Sequence, residues 1–439
     1  MAFRNEGGRT SSVQIGQRGC THSADPASIG RRGVWQHDPV RALRERNFRL
    51  YFLGQATSSV GTAMAPVALA FAILRLTHSA GDLGLVLTSY ALSQLIFLLA
   101  GGVIADRVSR RLALLGSDAV RFGTEAALAG VLLAGRPPLL VVIVLVFVEG
   151  AASALFLPAS TGLVPSLVED ANLQSANSLL QTATAAASII GPAIAGVLVV
   201  AASPGWAIAG DAASYGVSVA TLAILRAAGV ERGERQRFLA DLREGWKEFR
   251  SRDWYWKLVA GATVFNMLYS VYIVLGPVAS LRYYSGPKSW AIIATAAGVG
   301  SVIGGLLGSK MRPRHPMRVA LSLVLLFALA PLAVGIGLPV PAVAALAALG
   351  GAGIVTFGSL FETTVQRHVP EAVLSRVLAY DWFGSMMAVP IGLAIAAPLA
   401  AGIGLRRLLV ISAVLEVASI VAVLTVRSIW NLRSTPEGA

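Results

Sequence analysis

Apolar residues in this chain come in long unbroken runs, not in alternation with polar ones. Twelve such runs can be placed, at residues 50–74, 83–105, 112–134, 139–161, 173–201, 206–227, 258–280, 289–309, 317–337, 341–365, 376–401 and 406–427. Each is near the length an α-helix needs to cross about 30 Å of hydrocarbon at 1.5 Å per residue. A membrane β-strand would be about ten residues long and alternate in polarity, which none of these runs does. The pattern predicts an all-α polytopic membrane protein with twelve transmembrane helices. Arg136, Pro137 and Pro138, and then Pro339 and Pro341, interrupt otherwise continuous apolar sequence and mark two of the turns.

Composition agrees with this reading. Only 13% of the 439 residues are charged, against about 25% in soluble proteins. The lone cysteine, Cys20, excludes an intramolecular disulfide framework. A net charge of +13 on a soluble domain would point to nucleic acid, but here the bases lie between the runs. With the N-terminus cytoplasmic, 29 Lys and Arg fall in inner segments and six in outer ones. That asymmetry is the positive-inside pattern, so both termini are expected in the cytoplasm, with the bilayer and not nucleic acid as the partner of the charge. The opening residues carry no apolar stretch of signal-peptide type.

The longest internal polar segment divides the chain. The expected organisation is a polar basic tail at 1–47, a six-helix bundle at 48–227, a linker at 228–257, a second six-helix bundle at 258–428 and a tail at 429–439. Within the linker, Phe238, Leu239, Leu242, Trp246 and Phe249 recur at spacings of three and four, which predicts an amphipathic helix. The two bundles repeat at their turns. GGVIADRVSRR (101–111) after the second run matches IGGLLGSKMRPRHPMR (303–318) after the eighth. Likewise, VPSLVEDANLQSANSL (164–179) matches VPEAVLSRVLAYDWFG (369–384), placing Asn177 and Asp381 alike. Repeated halves are what a carrier needs if two bundles rock about a central site.

The residues of these turns resemble a known pattern. Gly102, Asp106, Arg107, Arg110 and Arg111 match the G-x-x-x-D-R-x-G-R-R motif of the major facilitator superfamily, with Ser109 where glycine is usual. Gly191, Pro192 and Gly196 are similar to the core of that family's antiporter motif, with Ala187 and Ala195 replacing two glycines. The chain resembles, within the superfamily, the bacterial exporters grouped with the enterobactin exporter and macrolide efflux proteins. The resemblance covers about residues 48–428. It implies alternating access and export of a small amphipathic organic compound, with a proton as coupling ion. An importer or facilitator, or a membrane scaffold that transports nothing, are the other readings of twelve helices. One chain supplies both bundles, so a monomer is expected.

Ionisable residues inside membrane helices are costly and point to a bundle interior or a wet cavity. Asp118, Arg121 and Glu125 share one helical face and form either a self-neutralising cluster or part of a transport pathway. Glu149, Asp211, Glu362, Asp381 and Glu416 complete the candidates for carrying a proton, Glu149 and Glu416 being favoured by depth. Gln55, Tyr90, Gln94, Asn266, Tyr269 and Tyr272 are candidates for lining a cavity, since an aromatic ring with a polar tip suits amphipathic ligands. No G-x-x-x-x-G-K-[ST] sequence for ATP occurs, and the five histidines show no metal-ligand spacing. Neither an enzyme nor a cofactor or metal is expected. Asp106, at the inner end of its helix, can bind across to the other bundle and hold the outward-open form. Asp106→Asn is therefore expected to slow the transport cycle while leaving substrate binding unchanged, and normal turnover in a vesicle flux assay would remove the gating role.

Overall fold

The computed structural model describes residues 41–107, 109–169, 172–225 and 238–434, all within the compact unit Pro39–Ala439. Residues 1–40 of the N-terminal tail therefore lie outside the described residues. The first part of the fold comprises α1 (Arg46–Thr77), α2 (Ala80–Arg107), α3 (Arg110–Ala134), α4 (Leu139–Leu163), α5 (Leu173–Ala201) and α6 (Pro204–Ile224). Next come α7 (Phe238–Ser251), α8 (Asp253–Tyr283), α9 (Pro287–Lys310), α10 (Pro316–Val324) and α11 (Leu329–Ile336). The last are α12 (Val340–His368), α13 (Glu371–Met386), α14 (Val389–Ile403), α15 (Leu405–Leu424) and α16 (Arg427–Trp430).

These helices start and stop where backbone chemistry allows. Pro204, Pro287 and Pro316 stand in the first turn of α6, α9 and α10, where a missing N–H costs no helical bond. Gly337, with φ of 81°, closes α11 in the left-handed conformation and lets the chain turn before α12. Ser109 Oγ accepts a bond from Leu112 N at 3.4 Å and so caps α3.

Among the described residues, eleven helical stretches are long and apolar enough to cross a membrane, against twelve predicted runs. The remaining run is α3. It forms a 25-residue helix, but Asp118, Arg121 and Glu125 lie within two turns of it. Two of the predicted spans are also less regular than expected. The ninth is interrupted by a 3-10 turn at Leu325–Ala328 between α10 and α11. The eleventh breaks at Met387 and Ala388, between α13 and α14, and Pro390 sits in the first turn of α14.

Packing partners recur along the chain. In the first part α1 packs on α5 and α6, α2 on α4, and α3 on both α4 and α6. In the later part α8 packs on α13, α14 and α15, α9 on α12, and α10 and α11 on α12 and α15. Contacts between the two sets run chiefly through α5 with α9 and α2 with α14. The amphipathic segment does form a helix, α7, which lies on α13, with the Trp246 and Phe249 rings 5.4 and 6.1 Å from that of Tyr380.

Glycine allows the closest of these approaches. A methyl group at Gly300 or Gly304 of α9 would overlap the carbonyl oxygen of Ala348 or Ala352 of α12, and Thr356 Oγ1 donates to Gly304 O at 2.9 Å across the same seam. Gly358, by contrast, has open space where a side chain would be. Gly304→Ala is expected to destabilise the protein by about 1–3 kcal/mol through overpacking, while Gly358→Ala leaves it unchanged. Melting of the two variants in detergent distinguishes them, and equal melting temperatures would refute the tight seam.

Candidate functional site

Consecutive spans alternate between two ends of the structure. The bases that follow α2, α9, α12 and α15 gather at one end, here termed the basic end, as cross-links there show: Arg111 reaches Leu222 O, Arg252 reaches His368 O and Arg367 reaches Ser434 O. At the opposite end Arg75 donates to Val199 O and Tyr284 to Leu338 O.

Between these ends, the first set of helices encloses a charged cluster. Asp118, Arg121 and Glu125 of α3 meet Glu149 of α4 and Asp211 of α6, and all five are buried. Ser218 Oγ donates to Asp118 at 2.6 Å, and Arg121 Nη1 lies 3.7 Å from the other Asp118 oxygen. The Arg121 guanidinium also stacks 4.1 Å over the Tyr215 ring, whose hydroxyl meets Thr62 Oγ1 of α1 at 2.8 Å. Glu125 and Glu149 face each other within hydrogen-bond reach. A hydrogen bond between two carboxyls requires one of them to carry a proton. Tyr90 of α2 lies beside this pair, and its hydroxyl accepts from Gln94 Nε2 at 3.2 Å.

Four carboxyls thus surround one guanidinium. One oxygen each of Asp118, Glu125 and Asp211, and Arg121 Nε, are buried without a hydrogen-bond partner among the described residues. Such an assembly is neither a closed salt bridge nor a metal site, and no metal-binding group of His, Cys, Asp and Glu occurs among the described residues. Chemically, it can gain and lose protons and redistribute the single cation among its acids.

The second set holds a different arrangement. Glu416 of α15 is fully buried and neither carboxyl oxygen has a hydrogen-bond partner among the described residues. Tyr269 and Tyr272 of α8 lie near it, and Tyr272 is itself buried with a hydroxyl unpartnered among the described residues. Their rings are 5.8 Å apart, and they continue to Phe327 at 4.5 Å from Tyr269 and Trp290 at 5.4 Å from Tyr272. Asp381 is half-buried on α13 and Glu362 exposed on α12, so the structure does not bring either into these clusters. Asn266 Nδ2 donates to Ser385 O at 3.0 Å and Thr263 to Gly384 O at 2.7 Å, satisfying carbonyls just before the break in the eleventh span. Gln55 is half-buried on α1.

A cleft of about 780 Å³ opens between α5 and α9, towards the basic end. Gln174, Asn177, Ser178, Gln181 and Thr182 line it from α5, facing Gly305, Leu306 and Ser309 of α9. None of the six residues expected to line a cavity is among these. The α5 face was legible as amides and hydroxyls at steps of three and four in an otherwise apolar helix, yet only Asn177 drew notice. From mid-helix to the opposite end the same two helices close. Here a methyl at Gly298 would strike Ser188 O and one at Gly196 would strike Ala291. Nearby, Thr88 of α2 lies 3.4 Å from Pro390 O of α14.

The two motifs fall at these joints. Gly191 and Pro192 are buried where α5 meets Ala63 of α1, and Gly196 where it meets α9. Gly102, Asp106 and Arg107 lie in the last turns of α2, where the side chains are outside the described residues. Arg110 opens α3, and Arg111 donates to Leu222 O at 2.9 Å and Ala223 O at 2.6 Å, capping the carbonyl end of α6. Ser109, which departs from the motif's glycine, serves as the cap of α3.

Comparison with known proteins matches this geometry to a family. Residues 51–390 match the model of the Major Facilitator Superfamily. Macrolide efflux protein A of Streptococcus pyogenes is 24% identical over 383 residues, spanning 84% of this chain and 93% of its own. The enterobactin exporter EntS of Escherichia coli is 28% identical over 339 residues, spanning 75% and 79%. A solved peptide transporter, POT, in complex with sulfate shares the fold with a TM-score of 0.74 at 12% identity, over 92% of this chain and 97% of its own. With three-quarters of its length matched to the family and its helices arranged in the same fold, the chain belongs to the Major Facilitator Superfamily, as a multi-pass membrane transport protein and not an enzyme.

Proposed function

We propose that the protein is a secondary transporter that exports a small amphipathic organic compound in exchange for protons. The observation that carries this reading is the buried cluster of Asp118, Arg121, Glu125, Glu149 and Asp211, in which acids outnumber the one base. The two named relatives, a macrolide efflux protein and an enterobactin exporter, favour efflux and an amphipathic cargo. In this reading all twelve runs cross the membrane, α3 included, as two six-helix bundles at 48–227 and 258–428. The linker at 228–257 joins them, and a single chain is the working unit in a bacterial plasma membrane.

The basic end is assigned to the cytoplasm by its excess of Lys and Arg. The cleft between α5 and α9 then faces the cytoplasm, where an exporter takes up its cargo, and the close contacts seal the other side. Asp106 and the bases around it would clasp the inner ends when access reverses. Protons would reach the Glu125 and Glu149 pair past Tyr90 and Gln94. When the shared proton leaves, the freed negative charge draws Arg121 from Asp118 and Tyr215 towards the pair. That shift changes how α3 is held against α6 and so couples protonation to packing. Glu416 is the second candidate carrier, since a lone buried carboxyl can be charged only when water reaches it.

In sealed vesicles with a macrolide or enterobactin as cargo, Glu149→Gln is expected to abolish cargo-dependent proton movement and cut efflux at least about tenfold, with cargo binding retained. Glu416→Gln tests the second carrier in the same assay. Undiminished proton-coupled efflux in both single variants and the double variant would refute the assignment, and cargo flux without proton movement in the wild type would make the protein a facilitator. Orientation is tested by labelling with a membrane-impermeant maleimide. Cys20 is expected to react only in inside-out vesicles, and a Cys20→Ser, Arg136→Cys variant only in intact cells. The reverse pattern would invert the topology.

A further inference from the structure

A second cavity, of about 330 Å³, lies at the basic end of the later helices, beyond both acidic clusters. Ser309 at the end of α9, Arg312 in the turn after it, and Ser359, Thr363 and Arg367 of α12 line it, and Ser434 completes the wall. Guanidinium and hydroxyl donors face one small volume, and no lining residue is a carboxylate.

This site is built by the fold and is not a loose patch of bases. Ser434 N donates to Arg314 O at 3.0 Å and Arg367 Nη1 donates to Ser434 O at 3.1 Å, so the C-terminal segment is folded across the cavity. The Arg318 guanidinium stacks 4.4 Å over the Trp430 ring and holds the same segment. Arg312 Nη1 donates to Ser309 O and Met311 O, both at 2.8 Å, and thereby caps α9. These hydrogen bonds occupy only Nη1 of Arg312 and of Arg367, and a guanidinium has five N–H donors. Close by, in the turn before α10, desolvation and then the charges of Arg318, Arg433 and Arg314 hold the His315 imidazole below its usual range, as expected in a positive local field.

The repeat explains why positive charge is left over. Residues 304–310, GGLLGSK, fall in register with residues 101–107, GGVIADR, so Ser309 stands where the first repeat has Asp106. The second turn therefore keeps the bases of the first and lacks its acid. An anion from outside the chain can take that place. We propose that the cavity binds a phosphate group, the chemistry presented by the headgroup of an anionic phospholipid at this membrane face and by free phosphate in solution.

Native mass spectrometry of the full-length protein, with phosphatidylglycerol, phosphatidylcholine and inorganic phosphate as probes, tests this. Phosphatidylglycerol is expected to be retained about tenfold more strongly than phosphatidylcholine, and the Arg312→Gln, Arg367→Gln double variant to lose that preference. Arg46→Gln with Arg49→Gln removes the same charge at the same end of the other half and is expected to leave the preference intact. Displacement of the lipid by millimolar phosphate would identify the free anion as sufficient, and lipid retained against phosphate would identify the headgroup in its membrane setting. The Arg312→Lys, Arg367→Lys variant keeps the charge should the glutamine variant misfold, and is expected to lose about threefold in retention with an unchanged melting temperature. No preference for phosphatidylglycerol, equal loss in the Arg46 and Arg49 control, or full retention in the lysine variant would each overturn the proposal.

Discussion

A hydrocarbon interior supplies no water, so every polar group placed in it must be answered from within the protein. The rest of this structure follows from that constraint. Helices satisfy their own backbones, and where the eleventh span breaks at Met387 and Ala388, Thr263 and Asn266 reach from α8 to the carbonyls just ahead of the gap. Bases at the basic end cap the carbonyl ends of helices, as Arg111 does for α6 and Arg312 for α9. Against this background of thorough satisfaction, the unanswered oxygens of Asp118, Glu125, Asp211 and Glu416 stand out as places where the molecule holds polarity that its packing does not use.

The same constraint shapes the contacts between the two sets of helices. Close approach without a hydrophobic driving force relies on small residues, and the joints between α5 and α9 use Gly196 against Ala291 and Gly298 against Ser188. Such surfaces fit well in one arrangement and have little adhesive chemistry of their own. Toward the basic end the character changes, because Gln174, Ser178 and Gln181 of α5 present amides and hydroxyls that tolerate water. A pair of helices that is dry and close at one end and polar and parted at the other is suited to hinging about its middle.

Much of the fold was legible in the sequence, because a run long enough to cross a bilayer is a strong signal. The ends of α4, α5 and α9 fall within two residues of the predicted runs. Local breaks were less legible. A proline inside an apolar run suggests a bend within one helix, yet Pro390 stands in the first turn of a new one, after Asn266 and Thr263 have taken the carbonyls of Ser385 and Gly384. The shared face of Asp118, Arg121 and Glu125 followed from helical spacing, but that Glu149 and Asp211 join it depends on which helices become neighbours. Tyr269 and Tyr272 illustrate the converse: a ring with a polar tip suits a wet cavity and a bundle interior alike, and here Tyr272 is buried beside Trp290. Spacing along one helix gives its face, whereas the partner of that face is a property of the tertiary structure.

The two acidic sites differ in a way that bears on how each can take part in a cycle. Within the cluster, the proposed cycle would use Arg121 as countercharge, so that loss of a proton could be answered by moving a cation without water entering. Glu416 has no such cation among the partners described and lies against tyrosine and apolar groups. Placing a charged side chain at the centre of a membrane helix costs about 2.5–3.5 kcal/mol on insertion scales, so the charge of a lone carboxyl there can change only if the surrounding helices open. On the proposed function, protonation in the first half would thus drive a local rearrangement, while in the second half it would follow one. Two halves built from one repeated plan would then contribute unlike steps, the first responding to the proton and the second registering that access has changed.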